Sequence, residues 1–275
     1  MPELPEAETL ARGLRPILPG SVIRRTRVHH ADVLRVPARS FRGALAGRTV
    51  TGVGRRAKNV VLELDDGAAV LLVNLGMTGR LVPLGFGDEA RARVTHPAVR
   101  FGFGDGRSLV FDDTRRFGCL EVLDAEAWAE RSRSFGPEPL SPTYRWSRLY
   151  DDLQRSRSPV RSWLLDQRRI AGVGNIYANE ACFRAGVRPD RPALAVGAEE
   201  ARALHRGIRE VLRSGIRHGG TTLRDYRNAR GEPGRNQRRL QVYGREDQPC
   251  VRCGTPIERI VFGNRSAFFC PTCQH

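Results

Sequence analysis

The chain has 275 residues, 46 basic against 30 acidic, a formal net charge of +16 and a sequence pI of about 10.9. That excess points to a polyanionic partner. No run of 18 apolar residues and no basic-then-apolar start is present, which excludes a helical membrane span and a signal peptide and makes the cytoplasm the expected setting. Residues 1–150 hold 23 basic and 17 acidic side chains and residues 151–275 hold 23 and 13, so the charge suits a cleft between two lobes better than a basic tail. Of the basic residues 45 are arginine, and Lys58 is the lone lysine. A guanidinium serves phosphate contact as well as an ammonium, so the lone lysine stands out as a place where arginine does not serve, the alternative being the chance survival of one lysine in an arginine-biased chain.

The opening Met1-Pro2-Glu3-Leu4-Pro5-Glu6 has proline in a helix's first turn, where N–H groups lack partners anyway. Acids follow where the helix dipole favours them. Leu4, Ala7, Leu10, Ala11, Leu14 and Ile17 form one apolar face, predicting a helix over 2–17. If Met1 is removed, Pro2 begins the chain as a secondary amine. An α-amino group titrates at about 7.7–8.0, against about 10.4 for lysine, so it is a usable nucleophile at neutral pH. Beside it, Glu3 supplies a carboxyl group for proton transfer, which completes the elementary kit for imine chemistry. The plainer alternative is an acid-capped surface helix.

Short apolar runs at 50–53, 60–64, 70–73, 99–103 and 109–111 read as strands, with turns at Asp65-Asp66-Gly67 and Gly104-Asp105-Gly106. Close spacing and tight turns predict an antiparallel sandwich or barrel to about residue 125. Residues 136–142 carry three prolines and a glycine and read as a linker. Beyond them the pattern turns helical, at 158–166, at 175–185 closed by Gly186, and at 198–217 closed by Gly219-Gly220. Residues 219–239 read as a mobile basic loop. Cys250-x2-Cys253, a 16-residue spacer and Cys270-x2-Cys273 have the spacing of a four-thiolate zinc site. Two disulfides are the alternative, disfavoured in a cytosolic chain. Cys119 and Cys182 stand alone and read as buried thiols.

Seven segments, in order, resemble the bacterial formamidopyrimidine-DNA glycosylase family. They are Pro2-Glu3-Leu4-Pro5-Glu6, Arg55-Arg56-Ala57-Lys58, Asp113-Thr114-Arg115-Arg116-Phe117-Gly118 and Gly172-Val173-Gly174-Asn175-Ile176-Tyr177-Ala178. Gly219-Gly220-Thr221-Thr222-Leu223, Gln241-Val242-Tyr243-Gly244-Arg245 and the cysteine module containing Arg265 complete the set. The resemblance runs from end to end. It implies an α+β, multidomain fold: an N-terminal helix plus antiparallel β-sandwich over 1–130, a helical DNA-binding domain with a helix–two-turn–helix over 131–238, and a four-cysteine zinc finger over 239–275.

It also implies a monomeric enzyme that binds double-stranded DNA carrying oxidised purines, flips the damaged nucleotide out and excises the base. The strand is then nicked by β,δ-elimination through a Pro2 Schiff base. Pro2, Glu3, Lys58 and Arg265 are the implied catalytic residues, with Glu6 as a supporting carboxylate grouped with the DNA contacts. Met77, Arg115 and Phe117 are implied as wedges filling the gap, a recurrent device at kinked steps. His96 and Asn175 are implied phosphate contacts, which hold register without reading sequence. One structural zinc on Cys250, Cys253, Cys270 and Cys273 is implied. Thr114 stands where the family usually has proline, Ala98 where a second histidine is common, and Arg224 where lysine is frequent. Arg235 and Asn236 stand where aromatics are frequent. Three other readings compete: an endonuclease VIII-like enzyme for oxidised pyrimidines, opposed by Leu4; an idle DNA-binding module, opposed by intact Pro2, Glu3 and Lys58; and a zinc-ribbon RNA-binding protein, opposed by the lack of a stacking aromatic motif.

Overall fold

The computed structural model describes residues 2–87, 93–262 and 264–275. The chain divides into two compact units, Met1–Ser134 with Ile216–Gln237, and Phe135–Gly215 with Arg238–His275.

The first unit opens with helix α1 (Leu4–Leu14), shorter than the predicted 2–17 at both ends. Two four-stranded antiparallel sheets follow. One has the order β1 (Ile23–Val28), β6 (Pro97–Phe103), β7 (Ser108–Asp112), β5 (Arg80–Leu84); the other runs β2 (Val50–Arg56), β3 (Asn59–Leu64), β4 (Ala69–Asn74), β8 (Cys119–Asp124). Leu62, Leu64, Leu71 and Val73 from one sheet and Val99, Phe101, Leu109 and Phe111 from the other share a single core with Ala7, Leu10, Ala11 and Leu14 of α1. This is the sandwich of the two alternatives. The opposite face of β3 and β4, carrying Val61, Val70 and Leu72, packs against Leu123 of β8 and Trp128 of helix α3 (Ala125–Arg133). Burial on both faces explains why these strands read as unbroken apolar runs rather than alternating ones.

All five predicted strands are present. Among the described residues of the first unit, three other strands carry weak signals. β1 reads Ile-Arg-Arg-Thr-Arg-Val and β5 holds Pro83, and both lie at sheet edges. An edge tolerates charge and a missing N–H donor. β8, half-buried at the edge of the second sheet, is the third. Helices α2 (Ala38–Leu45), α3 and α4 (Trp146–Gln154), eight or nine residues each, were likewise not predicted.

Residues 219–237 differ from the expected mobile loop. Tyr226, Ala229, Thr221 and Asn236 are buried, and Asn236 donates from its side chain to the Thr221 hydroxyl (2.9 Å) and from its backbone to the Gly220 carbonyl (3.1 Å). Gly220 adopts φ +89°, and a Cβ at Gly234 would collide with the Gly220 carbonyl. The segment is a packed extension of the first unit.

The second unit contains α4, α5 (Val160–Leu165), α6 (Asn175–Ala185), all but the last two residues of α7 (Ala198–Arg217), and a hairpin of β9 (Glu258–Phe262) and β10 (Arg265–Phe269). Gly186 closes α6 at φ +72°, the left-handed turn that glycine adopts without a Cβ penalty. The 136–142 stretch is bonded into this unit rather than left as a free linker. Gly136 N–H donates to the Gln167 carbonyl (2.8 Å), and Arg209 donates to the carbonyls of Pro139 and Ser141 (2.8 and 2.9 Å). Glu180, 3% exposed, accepts from the backbone N–H groups of Gln241, Val242 and Tyr243 at 2.9–3.0 Å. Burial pushes its carboxyl up, and those three donors oppose the rise. No helix among the described residues is long and apolar enough to cross a membrane.

Gly234→Ala tests the packed loop. The added methyl meets backbone that cannot give way, so it should lower unfolding free energy by about 1–3 kcal/mol in urea titrations. Wild-type stability would contradict the packing described.

Candidate active site and nucleic-acid interface

The first turn of α1 gathers three of the predicted residues. Pro2 is buried, and Glu3 and Glu6 are each 1% exposed. Glu6 stands at the third helical position, where its Oε2 accepts from the Glu3 N–H at 2.8 Å. Its Oε1 accepts from the Thr221 N–H at 2.7 Å, and the Tyr226 hydroxyl donates to the Glu6 carbonyl at 3.3 Å. One carboxylate therefore joins the turn behind Pro2 to a segment 215 residues away. Burial, and then the Glu6 charge, raise the Tyr226 phenol, keeping it a neutral donor. Met1 lies outside the described residues.

Lys58 is half-buried in the turn joining β2 to β3, where Ala57 takes φ +54°. Arg55 braces that turn from within, donating to the Ala57 carbonyl (2.8 Å) and to Glu8 of α1 (3.1 Å). Burial would raise the Glu8 carboxyl, but Arg12 and Arg55 hold it below its ordinary value. Two asparagines carry the connection onward. Asn59 donates to the Arg56 carbonyl (3.1 Å) and accepts from Asn74 (2.8 Å), whose own oxygen accepts from the Gly76 N–H (3.0 Å). The lysine turn and the turn bearing Met77 are thus fixed to each other, which no motif in the sequence announced.

Met77 is 38% exposed and Phe117 59%, so neither is spent on the core. The Arg115 guanidinium stacks 4.6 Å from the centre of the Phe117 ring. His96 is exposed, with Nδ1 3.0 Å from the Thr95 hydroxyl and 3.2 Å from that of Thr114. Thr114, in the place of the family's usual proline, thus supplies a hydroxyl to this ring. Asp112, 1% exposed and paired with Arg80, accepts from the backbone N–H groups of His96 (2.5 Å) and Thr95 (3.1 Å).

In the second unit Asn175 begins α6. Its side-chain oxygen accepts from Arg161 at 2.9 and 2.6 Å, and its amide donates to the Ser266 carbonyl at 3.1 Å. Arg161, 1% exposed, also donates to the carbonyls of Ser266 (3.1 Å) and Phe262 (3.2 Å). Asn179 adds an acceptor for the Phe268 N–H at 2.7 Å. The hairpin carrying exposed Arg265 is therefore fastened to the start of α6. Burial, and then Arg265, lower the Arg161 guanidinium. Sequence reading missed Arg161, which sits among the apolar residues of α5.

The sulfurs of Cys250, Cys253, Cys270 and Cys273 all lie within 4.8 Å of one another, with Cys253–Cys270 at 3.5 Å and Cys250–Cys273 at 4.0 Å. A tetrahedron with zinc–sulfur bonds of about 2.3 Å has edges of about 3.8 Å, which these distances bracket. Four thiolates leave no open position, as in a structural site. Cys182 is buried as expected, its thiol pushed up to about 12 by burial, whereas Cys119 is only half-buried.

Comparison with known proteins places these units in context. Residues 1–120 match the family model for the formamidopyrimidine-DNA glycosylase N-terminal domain, residues 135–227 that for the formamidopyrimidine-DNA glycosylase H2TH domain, and residues 247–275 that for the zinc finger found in FPG and IleRS. The chain is 42% identical over 275 residues to the formamidopyrimidine-DNA glycosylase of Chloroflexus aggregans, covering all of this chain and 98% of the relative. It is 46% identical over 264 residues to that of Moorella thermoacetica, covering 94% of each. The crystal structure of the MutM (Fpg) protein of Thermus thermophilus superposes with a TM-score of 0.88 at 41% identity, covering 99% of this chain and 98% of that one. The wild-type Lactococcus lactis Fpg bound to DNA containing an oxidised pyrimidine superposes with a TM-score of 0.89 at 29% identity, covering 100% of both chains. A Lactococcus lactis Fpg mutant bound to Fapy-dG-containing DNA gives 0.91, also at 29% and 100% of both.

Proposed function

The chain belongs to the formamidopyrimidine-DNA glycosylase family, and we propose that it excises oxidised purines, 8-oxoguanine and formamidopyrimidines, from duplex DNA and cuts the strand at the resulting site. The observation that carries this reading is the first turn of α1, where buried Pro2, Glu3 and Glu6 adjoin and Glu6 fixes the turn from both sides.

In the mechanism, the Pro2 nitrogen attacks C1′ of the flipped nucleotide while the glycosidic bond breaks, and the base leaves with the proton that the amine sheds. Glu3 delivers a proton to the sugar ring oxygen, which opens the ring to an iminium. A base then removes a C2′ proton, and the C3′–oxygen bond breaks; Lys58, at the neighbouring turn, is suited to carry protons in this step. In a second elimination the C4′ proton is removed and the C5′–oxygen bond breaks, releasing the phosphate on the 5′ side, with Arg265 holding phosphate. Met77, Arg115 and Phe117 fill the vacated stack, and His96 and Asn175 hold backbone phosphates. Cys250, Cys253, Cys270 and Cys273 would hold one zinc, whose role would be structural, closing the fold of the hairpin that presents Arg265. The reading makes this a monomeric, cytoplasmic, nucleoid-associated protein.

Incubation with a duplex carrying one 8-oxoguanine tests the function, with base release and strand cutting measured separately. Release of the base followed by cutting is expected; an inert protein would overturn the reading. Lys58→Arg keeps the charge and most of the reach, so it should bind the lesion duplex normally at fixed salt yet process it more slowly, by about tenfold or more. Wild-type rates for both steps would reduce the lone lysine to an accident of composition.

The metal is tested by elemental analysis. About one zinc per chain is expected, and Cys250→Ser should lose both the metal and DNA affinity. Full affinity in a demonstrably metal-free protein would contradict a role for zinc in recognition.

A further inference from the structure

Asp113 and Thr78 have no part in the roles given above, yet both turns that carry the wedge residues meet at them. Asp113 directly follows β7 and is 1% exposed. Its Oδ1 accepts from the Thr78 hydroxyl at 2.5 Å and from the Arg115 N–H at 3.3 Å, and its Oδ2 accepts from the Gly118 N–H at 2.8 Å. The Thr78 oxygen in turn accepts from the Arg115 N–H at 3.1 Å. A hydroxyl and two backbone N–H groups are thus the hydrogen-bond partners of its carboxylate among the described residues. In a chain with 45 arginines, this buried carboxylate is used to fix backbone.

The two turns also touch directly. A Cβ at Gly76 would collide with the Gly118 nitrogen and the Phe117 carbonyl carbon, and one at Gly118 would collide with the Phe111 ring and lie 2.9 Å from the Asn74 carbonyl oxygen. Close backbone approach explains both glycines. Arg116, between Arg115 and Phe117, takes φ +53° and pairs with Asp32 at 2.9 Å, directing its side chain away from Phe117's stack with Arg115.

We propose that Asp113, acting through Thr78, is a positioning residue that locks the turns at 74–79 and 113–118 into one wedge, so that Met77, Arg115 and Phe117 enter the duplex together. The proposal rests on the glycosylase reading. Three side chains on two independent turns would have to be ordered separately at the moment of insertion. Joined beforehand, they present a preorganised surface, and the ordering is already complete when the nucleotide leaves the stack. Asp113 need not touch DNA for this.

The test separates eviction of a stacked base from the chemistry that follows. Thr78→Val removes the hydroxyl at nearly constant shape, Thr78→Ser retains it, and Asp113→Asn replaces the Oδ acceptor that Gly118 or Thr78 uses with a donor. Each is assayed for base release from an 8-oxoguanine duplex and for cutting of a duplex already carrying an abasic site, where no base has to be unstacked. Thr78→Val and Asp113→Asn should slow base release by about tenfold or more while cutting at the abasic site stays within about twofold of wild type, and Thr78→Ser should restore release. Equal losses on the two substrates would mark a merely structural role and overturn the proposal, as would undiminished release by Thr78→Val. Failure of the wild-type protein to release the base at all would overturn the glycosylase reading instead, and the wedge with it.

Discussion

The arrangement at the head of the chain depends on one buried carboxylate. Glu6 divides its two oxygens between the Glu3 N–H, in its own turn, and the Thr221 N–H, far along the chain. An N–H buried without an acceptor costs about 1–3 kcal/mol, so both segments are held to this point. The result is a fixed first turn. The start of a chain is ordinarily among its least ordered parts, whereas a nucleophile has to stand within bonding reach of a sugar carbon. Glu6 supplies the missing constraint without using the amine itself.

The same device recurs. Asp112 holds the backbone beneath His96, Asp113 holds the turns at 74–79 and 113–118, and Glu180 holds residues 241–243. In each case a buried carboxylate accepts backbone N–H donors, Asp112 while also pairing with Arg80, whereas exposed acids such as Asp32, Asp65 and Asp105 pair with arginines. The division has a physical basis. A chain with 45 arginines is surrounded by positive charge, and exposed ion pairs in it are screened and worth little. A carboxylate buried against backbone donors is directional and unscreened, so it can set the position of a loop.

The sequence made the large features legible because they are periodic or chemically singular. The apolar face of α1, the doubly buried β3 and β4, the helices α6 and α7 with their closing glycines, and the four cysteines each follow from spacing alone. β1 and β5 were not legible because an edge strand may carry arginines or a proline, which erases the alternation. Residues 219–237 looked like a mobile loop because glycine, proline and arginine dominate there. Their order comes from Glu6 and from contact between Gly220 and Gly234, both long-range or backbone effects. The candidate residues came from motif resemblance. Of their supports, Asn59, Asn74 and Arg161 lie outside the motifs and Asp113 heads one without a role assigned to it, since a buried polar residue is recognisable only once its partners are in place.

The central claim is that the N-terminal amine of Pro2 is the nucleophile. This chain allows an unusually direct measurement, because Lys58 is its only side-chain amine, and a guanidinium does not form an imine under these conditions. Borohydride reduction during reaction with an 8-oxoguanine duplex should yield a covalent protein–DNA adduct, and proteolysis with mass spectrometry then locates the attachment. The adduct is expected on the N-terminal peptide beginning at Pro2, with Met1 absent. Attachment at Lys58, or an undiminished yield on chains that retain Met1, would contradict the account.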